Sequence, residues 1–323
     1  MKSKGLQYTT ILRDELHTVR TIMLEIQHHL PPVIAPALIA LIHSGGKRLR
    51  PALTLLSAYM FGGDIQAAIP LAAAIEMLHT ATLIHDDLID NAALRRGTPT
   101  LNATWTPAAT VLSGDVAFAW AAQLATRSQN LRLVQRFAET LAIICNGELR
   151  QMFADHTQLP DETAYYERIF AKTASLFALA TESGALLAHR PEADVQRMNT
   201  FGKLLGEAFQ IVDDVLDFMG DETALGKPVG TDLRQGILTL PVLRYGQQHP
   251  EDTRILAMLS SHPDEALVHA LAADLRRSDA AEWAMHEADK RAAAARALLA
   301  VYPETPYRQA MEEIAAFAVQ RQY

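Results

Sequence analysis

LAAAIEMLHTATLIHDDLID, residues 71–90, is an apolar run that ends in a burst of carboxylates. Between Leu71 and Ile84 only Glu76 and His79 break the apolar character, and no alternation of β-branched with polar residues suggests a strand. The stretch is too short and too interrupted to cross a bilayer, so a buried core helix is expected. Outward from it, apolar residues recur at helical spacing almost everywhere, and alternating strand patterns are hard to find. Turns fall at Pro31-Pro32, Gly45-Gly46, Gly62-Gly63, Gly97 with Pro99, Pro160, Pro191, Gly220, the Gly226–Gly230 segment, Pro250, Pro263 and Pro303. The chain therefore reads as all-α. No composition shift or tandem repeat marks a boundary, so residues 1–323 are expected to form one domain, a helical bundle around a large central cavity.

Composition narrows the function. Hydrophobic residues make up 49% and charged residues 20% of 323, enough apolar material for a sizeable core. A formal net charge of −8 argues against nucleic-acid binding, which needs a basic stripe. One cysteine, Cys145, excludes an internal disulfide framework and fits a reducing, cytoplasmic setting. The first ten residues are polar, with Lys2 and Lys4, and show no secretion signal; no transmembrane segment is expected.

The pattern D-D-x-x-D occurs twice, as Asp86-Asp87-Leu88-Ile89-Asp90 and as Asp213-Asp214-Val215-Leu216-Asp217. Residues four apart share a helix face, so Asp86 pairs with Asp90 and Asp213 with Asp217. Unpaired charge on otherwise apolar helices is expensive. A hard divalent cation is the natural partner: Mg²⁺ takes oxygen ligands, is held by one or two carboxylates, and fills its other positions with water and phosphate oxygens. A single such motif is more often a solvated acidic face, but two copies with cations nearby favour a site. Those cations are Lys47, Arg48 and Arg50 in the Gly45–Pro51 run, Arg95-Arg96 after the first motif, Lys172 beside Thr173, and Lys227 after the second. A loop that enters a helix with guanidiniums to hand can bind a diphosphate. Together the cations suggest two diphosphate sites, one bridged by metal and one bound by basic side chains.

These residues together resemble the trans-polyprenyl diphosphate synthases. The match runs from about Gly45 to about Leu243, through GGKRLRP at Gly45–Pro51, the first aspartate motif with Arg95-Arg96-Gly97, Lys172-Thr173, and Gly206–Asp217 followed by Gly226-Lys227-Pro228 and Asp232-Leu233. The resemblance implies an isoprenoid synthase type I fold and a transferase that adds isopentenyl diphosphate head-to-tail onto an allylic diphosphate. It implies that Lys47, Arg50, His79 and Arg96 bind isopentenyl diphosphate, while Arg95, Lys172 and Lys227 hold the allylic diphosphate. Thr173 and Gln210 would face the reacting centre. Asp86, Asp90 and Asp213 would be the closest ligands of three Mg²⁺ ions, with Asp87, Asp214 and Asp217 assisting directly or through water. One departure stands out: GILTLP at 236–241 carries Ile237 where many relatives have a lysine, so that phosphate contact is absent or supplied elsewhere.

The chemistry expected of such a site is ionisation of the allylic C–O bond, attack by the isopentenyl double bond, and loss of a proton to the released diphosphate. Product length is argued from the first motif's helix. Ala81 and Thr82, one turn before Asp86, are small where short-chain relatives place an aromatic floor, and Met77 and Leu78 form the next turn. A long all-trans product follows, with a geranylgeranyl-length product as the alternative. Relatives are commonly homodimers, and a catalytic subunit of a heteromeric synthase is the other assembly. A di-iron bundle, prompted by the E-x-x-H of Glu76 and His79, lacks the second copy it needs. A class I terpene cyclase would leave Lys47 and Arg50 unexplained.

Overall fold

A computed structural model describes residues 6–95, 97–154, 159–219, 230–259 and 264–320. They are helical almost throughout, as expected. The strands among them are two residues each, Leu94–Arg95 and Thr98–Pro99, paired antiparallel with Leu94 opposite Pro99 and Arg95 opposite Thr98. The chain divides into two compact units: one holds the residues up to Ala142 with Leu176–Gly202 and Val301–Ile314, the other Ile143–Ser175, Lys203–Ala300 and the residues from Ala315 on.

In the first unit the quoted stretch lies in a helix longer than its apolar core suggests, Ile65–Ile89. Asp64 starts it, its carboxylate accepting from the amides of Gln66 at 2.8 Å and Ala67 at 3.3 Å. Pro70 lies inside the helix, in its second turn, where it removes one backbone donor. Ala72 to Leu78 are all buried, as befits a helix that is apolar on every side. It packs against Leu49–Phe61, Pro107–Thr126 and Arg13–Leu24, and each fully buried Leu, Ile or Met contributes about 1.5–3 kcal/mol. The helix stops in a left-handed C-terminal turn. Asn91 takes φ +49°, the Ala92 amide donates to the Asp87 carbonyl at 2.9 Å, and the Asn91 amide donates to Leu88 at 3.2 Å. Ile65–Ile89 and Pro107–Thr126 are long and apolar enough to cross a membrane by length and composition, more than the interrupted 71–84 stretch suggested. The most apolar window of the first is 72% buried in protein, which marks a core helix, and that of the second 44%.

The second unit is built around Tyr165, Ile169, Ile211, Val212, Val215 and Phe218, closed by Leu240, Val242, Val268 and Leu271 and by an alanine edge at Ala280, Ala284, Ala288 and Ala292. Helices Glu162–Ile169, Leu240–Gln248, Glu265–Arg277 and Ala280–Leu299 supply most of this core. Between Glu162–Ile169 and Ser175–Leu187 the backbone winds through one π turn, Phe170–Ala174. That turn carries Lys172 and Thr173.

Candidate active site

The first aspartate motif occupies the last turn of Ile65–Ile89, with Asp90 as C-cap. Asp87 is buried at 3% exposure and takes a fork from Arg95, Nε at 2.8 and 3.0 Å and Nη2 at 2.7 Å. The hairpin explains the reach, since it turns Arg95 back toward the helix end it follows. A guanidinium on a carboxylate in this geometry is the strong form of the pair. Asp86 is half-buried and Asp90 exposed. His85, beside the motif, leans on Pro107–Thr126: Nε2 lies 3.1 Å from the Val111 carbonyl, and a Cβ at Gly114 would overlap the ring.

Gly45–Pro51 forms the loop into helix Leu49–Phe61. Lys47 is exposed, while Arg50 is half-buried with its guanidinium 4.7 Å from the centre of the Phe177 ring. A narrow cleft is lined by Gly45, Gly46, Arg48, Glu76, His79 and Arg95. His79, assigned from the resemblance to isopentenyl diphosphate, and Arg95, assigned to the allylic diphosphate and forked onto Asp87, thus share one cleft. Arg48 and Glu76, which received no role from sequence, line it too. A second cavity of about 310 Å³ lies across the same loop, against Arg13, His17, Arg20 and His43. Met77, Leu78 and Ala81 are fully buried and Thr82 is half-buried, its hydroxyl donating to the His79 carbonyl at 2.8 Å. Neither of these two cavities is lined by Ala81 or Thr82.

In the second unit three of the predicted residues, Thr173, Gln210 and Asp214, form one hydrogen-bonded chain with Tyr165. The Thr173 hydroxyl donates to Gln210 Oε1 at 2.7 Å, Gln210 Nε2 donates to Asp214 Oδ1 at 2.8 Å, and the Tyr165 hydroxyl donates to Asp214 Oδ2 at 2.7 Å. Burial pushes the Asp214 carboxyl up to about 6, with Asp213 adding to the rise and the bonds from Gln210 and Tyr165 opposing it. Lys172 pairs with Glu148 at 3.0 Å. Asp217 caps helix Thr231–Arg234, its carboxylate accepting from the amides of Thr231 at 3.2 Å and Asp232 at 3.1 Å. Asp232, close to Asp217 and Asp214, has its carboxyl raised well above the usual range by burial and by those two charges. Near Ile237 a cation is present after all: Arg168 Nη2 donates to the Leu238 carbonyl at 2.9 Å.

The three carboxylates that the resemblance makes secondary are thus each engaged by protein donors: Asp87 by Arg95, Asp214 by Tyr165 and Gln210, Asp217 by backbone amides. Among the described residues no three acids or imidazoles converge closely enough to hold a metal ion alone. An oxygen-only set of one or two carboxylates fits Mg²⁺, which completes its shell with water and substrate phosphate. Arg96 and Lys227, with Gly226–Val229 of the loop after the second motif, lie outside the described residues. Tyr165, Glu148 and Arg168 are participants that no motif announces, whereas Arg48 lies in the GGKRLRP run and Glu76 in the E-x-x-H, neither with a contact that its motif specifies.

The family profile described as polyprenyl synthetase matches residues 31–275. The chain is 39% identical over 282 residues to the all-trans-nonaprenyl-diphosphate synthase (geranyl-diphosphate specific) of Rhodobacter capsulatus, covering 87% of this chain and 86% of that one. It is 37% identical over 292 residues to a short chain isoprenyl diphosphate synthase of Methanothermobacter thermautotrophicus, covering 88% and 89%. Its fold superposes, at a TM-score of 0.90 and 35% identity over all of both chains, on a crystal structure of polyprenyl synthase from Caulobacter crescentus complexed with calcium and isoprenyl diphosphate.

Proposed function

The chain belongs to the polyprenyl synthetase family, and on that premise we propose that it is a Mg²⁺-dependent trans-prenyltransferase making a long all-trans polyprenyl diphosphate. The observation that carries this reading is the shared cleft: the Gly45-Gly46 loop, His79 and Arg95 line one groove, and Arg95 is forked onto the first aspartate motif. Anion-binding donors and metal-type carboxylates side by side are what a diphosphate with a bound cation requires.

Lys47, Arg50 and His79 bind isopentenyl diphosphate, and Arg96 from the same Arg95-Arg96-Gly97 run joins them. Arg95 and Lys172 exchange Asp87 and Glu148 for oxygens of the allylic diphosphate, with Lys227 as a further contact. Asp86, Asp90 and Asp213 would hold the Mg²⁺, which when bound would supply positive charge against the departing diphosphate. Thr173 and Gln210 present fixed dipoles to the reacting carbon, because each is already committed to the chain that ends at Asp214. The isopentenyl double bond, held close by its own cations, then forms the new C–C bond, and the released diphosphate takes the proton.

Small side chains at Ala81 and Thr82 support a long product, as does likeness to a nonaprenyl synthase; comparable likeness to a short-chain synthase favours a shorter one. Both aspartate motifs are intact, which argues against a non-catalytic partner subunit; a homodimer is the assembly proposed, with the catalytic subunit of a heteromeric synthase as the alternative. The purified chain, given farnesyl diphosphate, labelled isopentenyl diphosphate and Mg²⁺, should yield products longer than geranylgeranyl on reversed-phase chromatography. A geranylgeranyl endpoint would replace the long-chain reading, and no consumption of isopentenyl diphosphate would remove the function.

A further inference from the structure

The side chain that shapes the Gly45–Pro51 loop is none of its expected phosphate binders. Arg48 is N-cap of helix Leu49–Phe61 in the left-handed region, φ +52°, a conformation that a side chain with a Cβ adopts only when its surroundings impose it. Its guanidinium, 18% exposed, donates through Nη1 to Glu76 Oε1 at 2.7 Å and through Nη2 to the Ile42 carbonyl. Glu76, 7% exposed at the side chain, stands on helix Ile65–Ile89 one turn before His79. Gly45 is what leaves room, because a Cβ there would overlap the guanidinium. The other end of the loop is tied as well: the Tyr8 hydroxyl, in a side chain 1% exposed, donates to the Lys47 carbonyl. Burial, with Glu76 and Glu313 adding to it, pushes that phenol up to about 12, so it remains a donor at any working pH.

A loop that contains Gly45-Gly46 has many conformations open to it, and only some bring Lys47, Arg50 and His79 to one diphosphate. A buried ion pair resists that freedom, since parting it strands a charge out of water. We propose that Arg48, Glu76 and Tyr8 are positioning residues for isopentenyl diphosphate, locking the loop backbone to the helix that carries His79 so that Lys47 and Arg50 present their charges together. Arg48 does this through Glu76 and not by touching phosphate. The inference rests on the reading that Lys47 and Arg50 bind isopentenyl diphosphate.

Steady-state kinetics at saturating Mg²⁺ and allylic diphosphate, with isopentenyl diphosphate varied, test it on the full chain. Arg48→Gln and Glu76→Gln should each raise the isopentenyl KM about tenfold or more, and the double variant should be no worse than the worse single. The allylic KM should stay within about twofold, and kcat should be largely kept. Tyr8→Phe removes one hydroxyl with little change in packing, so it tests the lock even where the charge variants fail to fold; the same KM should rise about threefold to tenfold while the allylic KM stays unmoved. An isopentenyl KM unmoved in Glu76→Gln and Tyr8→Phe overturns the proposal. So does an Arg48→Gln loss far larger than that of Glu76→Gln and additive with it, which would put Arg48 on the phosphate. A rise in both substrates' KM that tracks a fall in melting temperature overturns it too, leaving only a structural role. Lys47→Gln separates the two levels: wild-type isopentenyl KM in that variant would sink the underlying reading instead.

Discussion

Asp214 shows how far a motif letter is from a chemical role. The D-D-x-x-D spacing marks it as one of a set of carboxylates, but its neighbours turn it into a buried acceptor of two side-chain bonds, from Tyr165 and Gln210. Removing one donor leaves a lone pair without a partner away from water. Tyr165→Phe should therefore cost about 1–3 kcal/mol of stability by urea denaturation, and a loss well below that range would mean the hydroxyl contributes nothing there. Asp194 is a second carboxylate set by its partners, Arg190 Nε at 2.8 Å, Arg197 Nη1 at 3.0 Å and the Tyr302 hydroxyl at 2.9 Å. Burial opposes its ionisation, yet the bonds from Arg190 and Tyr302 outweigh that and hold the carboxyl below its ordinary value. A folded pKa below the unfolded one stabilises fully above about pH 4 and is lost as pH falls through the folded value. Urea titrations at descending pH should show wild type losing stability on that limb and Asp194→Asn, weaker at neutral pH, losing less; parallel curves would refute the role. Carboxylates in a repeated spacing were legible in the sequence. Their partners were not, because Tyr165 precedes Asp214 by 49 residues and Tyr302 follows Asp194 by 108, and nothing local encodes such meetings.

At the scale of elements, the helix that carries the first motif was readable where its apolar run is continuous and unreadable at its start. Six residues before Leu71 it is already helical, because Asp64 caps it and Pro70 falls within its first two turns. The π turn at Phe170–Ala174 has no composition of its own, so Lys172-Thr173 was visible as a pair while the backbone that turns Thr173 toward Gln210 was not. The small hairpin at Leu94–Pro99 escaped the all-α reading for the opposite reason, being two residues a side around Gly97 at φ +76°. Ala81 belongs to this scale because its consequence depends on a helix face. Ala81→Tyr should shorten the product spectrum seen by chromatography, and since Ala81 is fully buried it should also cost about 1–3 kcal/mol through overpacking. Destabilisation with an unchanged product spectrum would make Ala81 a packing residue and nothing more.

For the whole molecule, a net charge of −8 coexists with short cationic runs in the sequence, KRLR at 47–50 and RR at 95–96, and that local contrast is what composition alone hides and spacing reveals. Helical class and family were legible because the motif set is long and its residues are chemically demanding. The division of the described residues into two compact units was not legible, as no linker, composition shift or glycine run marks it. The aspartate motifs fall one in each unit, and the proposed transfer calls on carboxylates of both. The direct test is the turnover of Asp86→Ala and of Asp213→Ala at saturating Mg²⁺ and both substrates, beside wild type. A fall of at least about a hundredfold in each, with the fold retained, is predicted. Turnover within a few-fold of wild type in either variant would contradict the account.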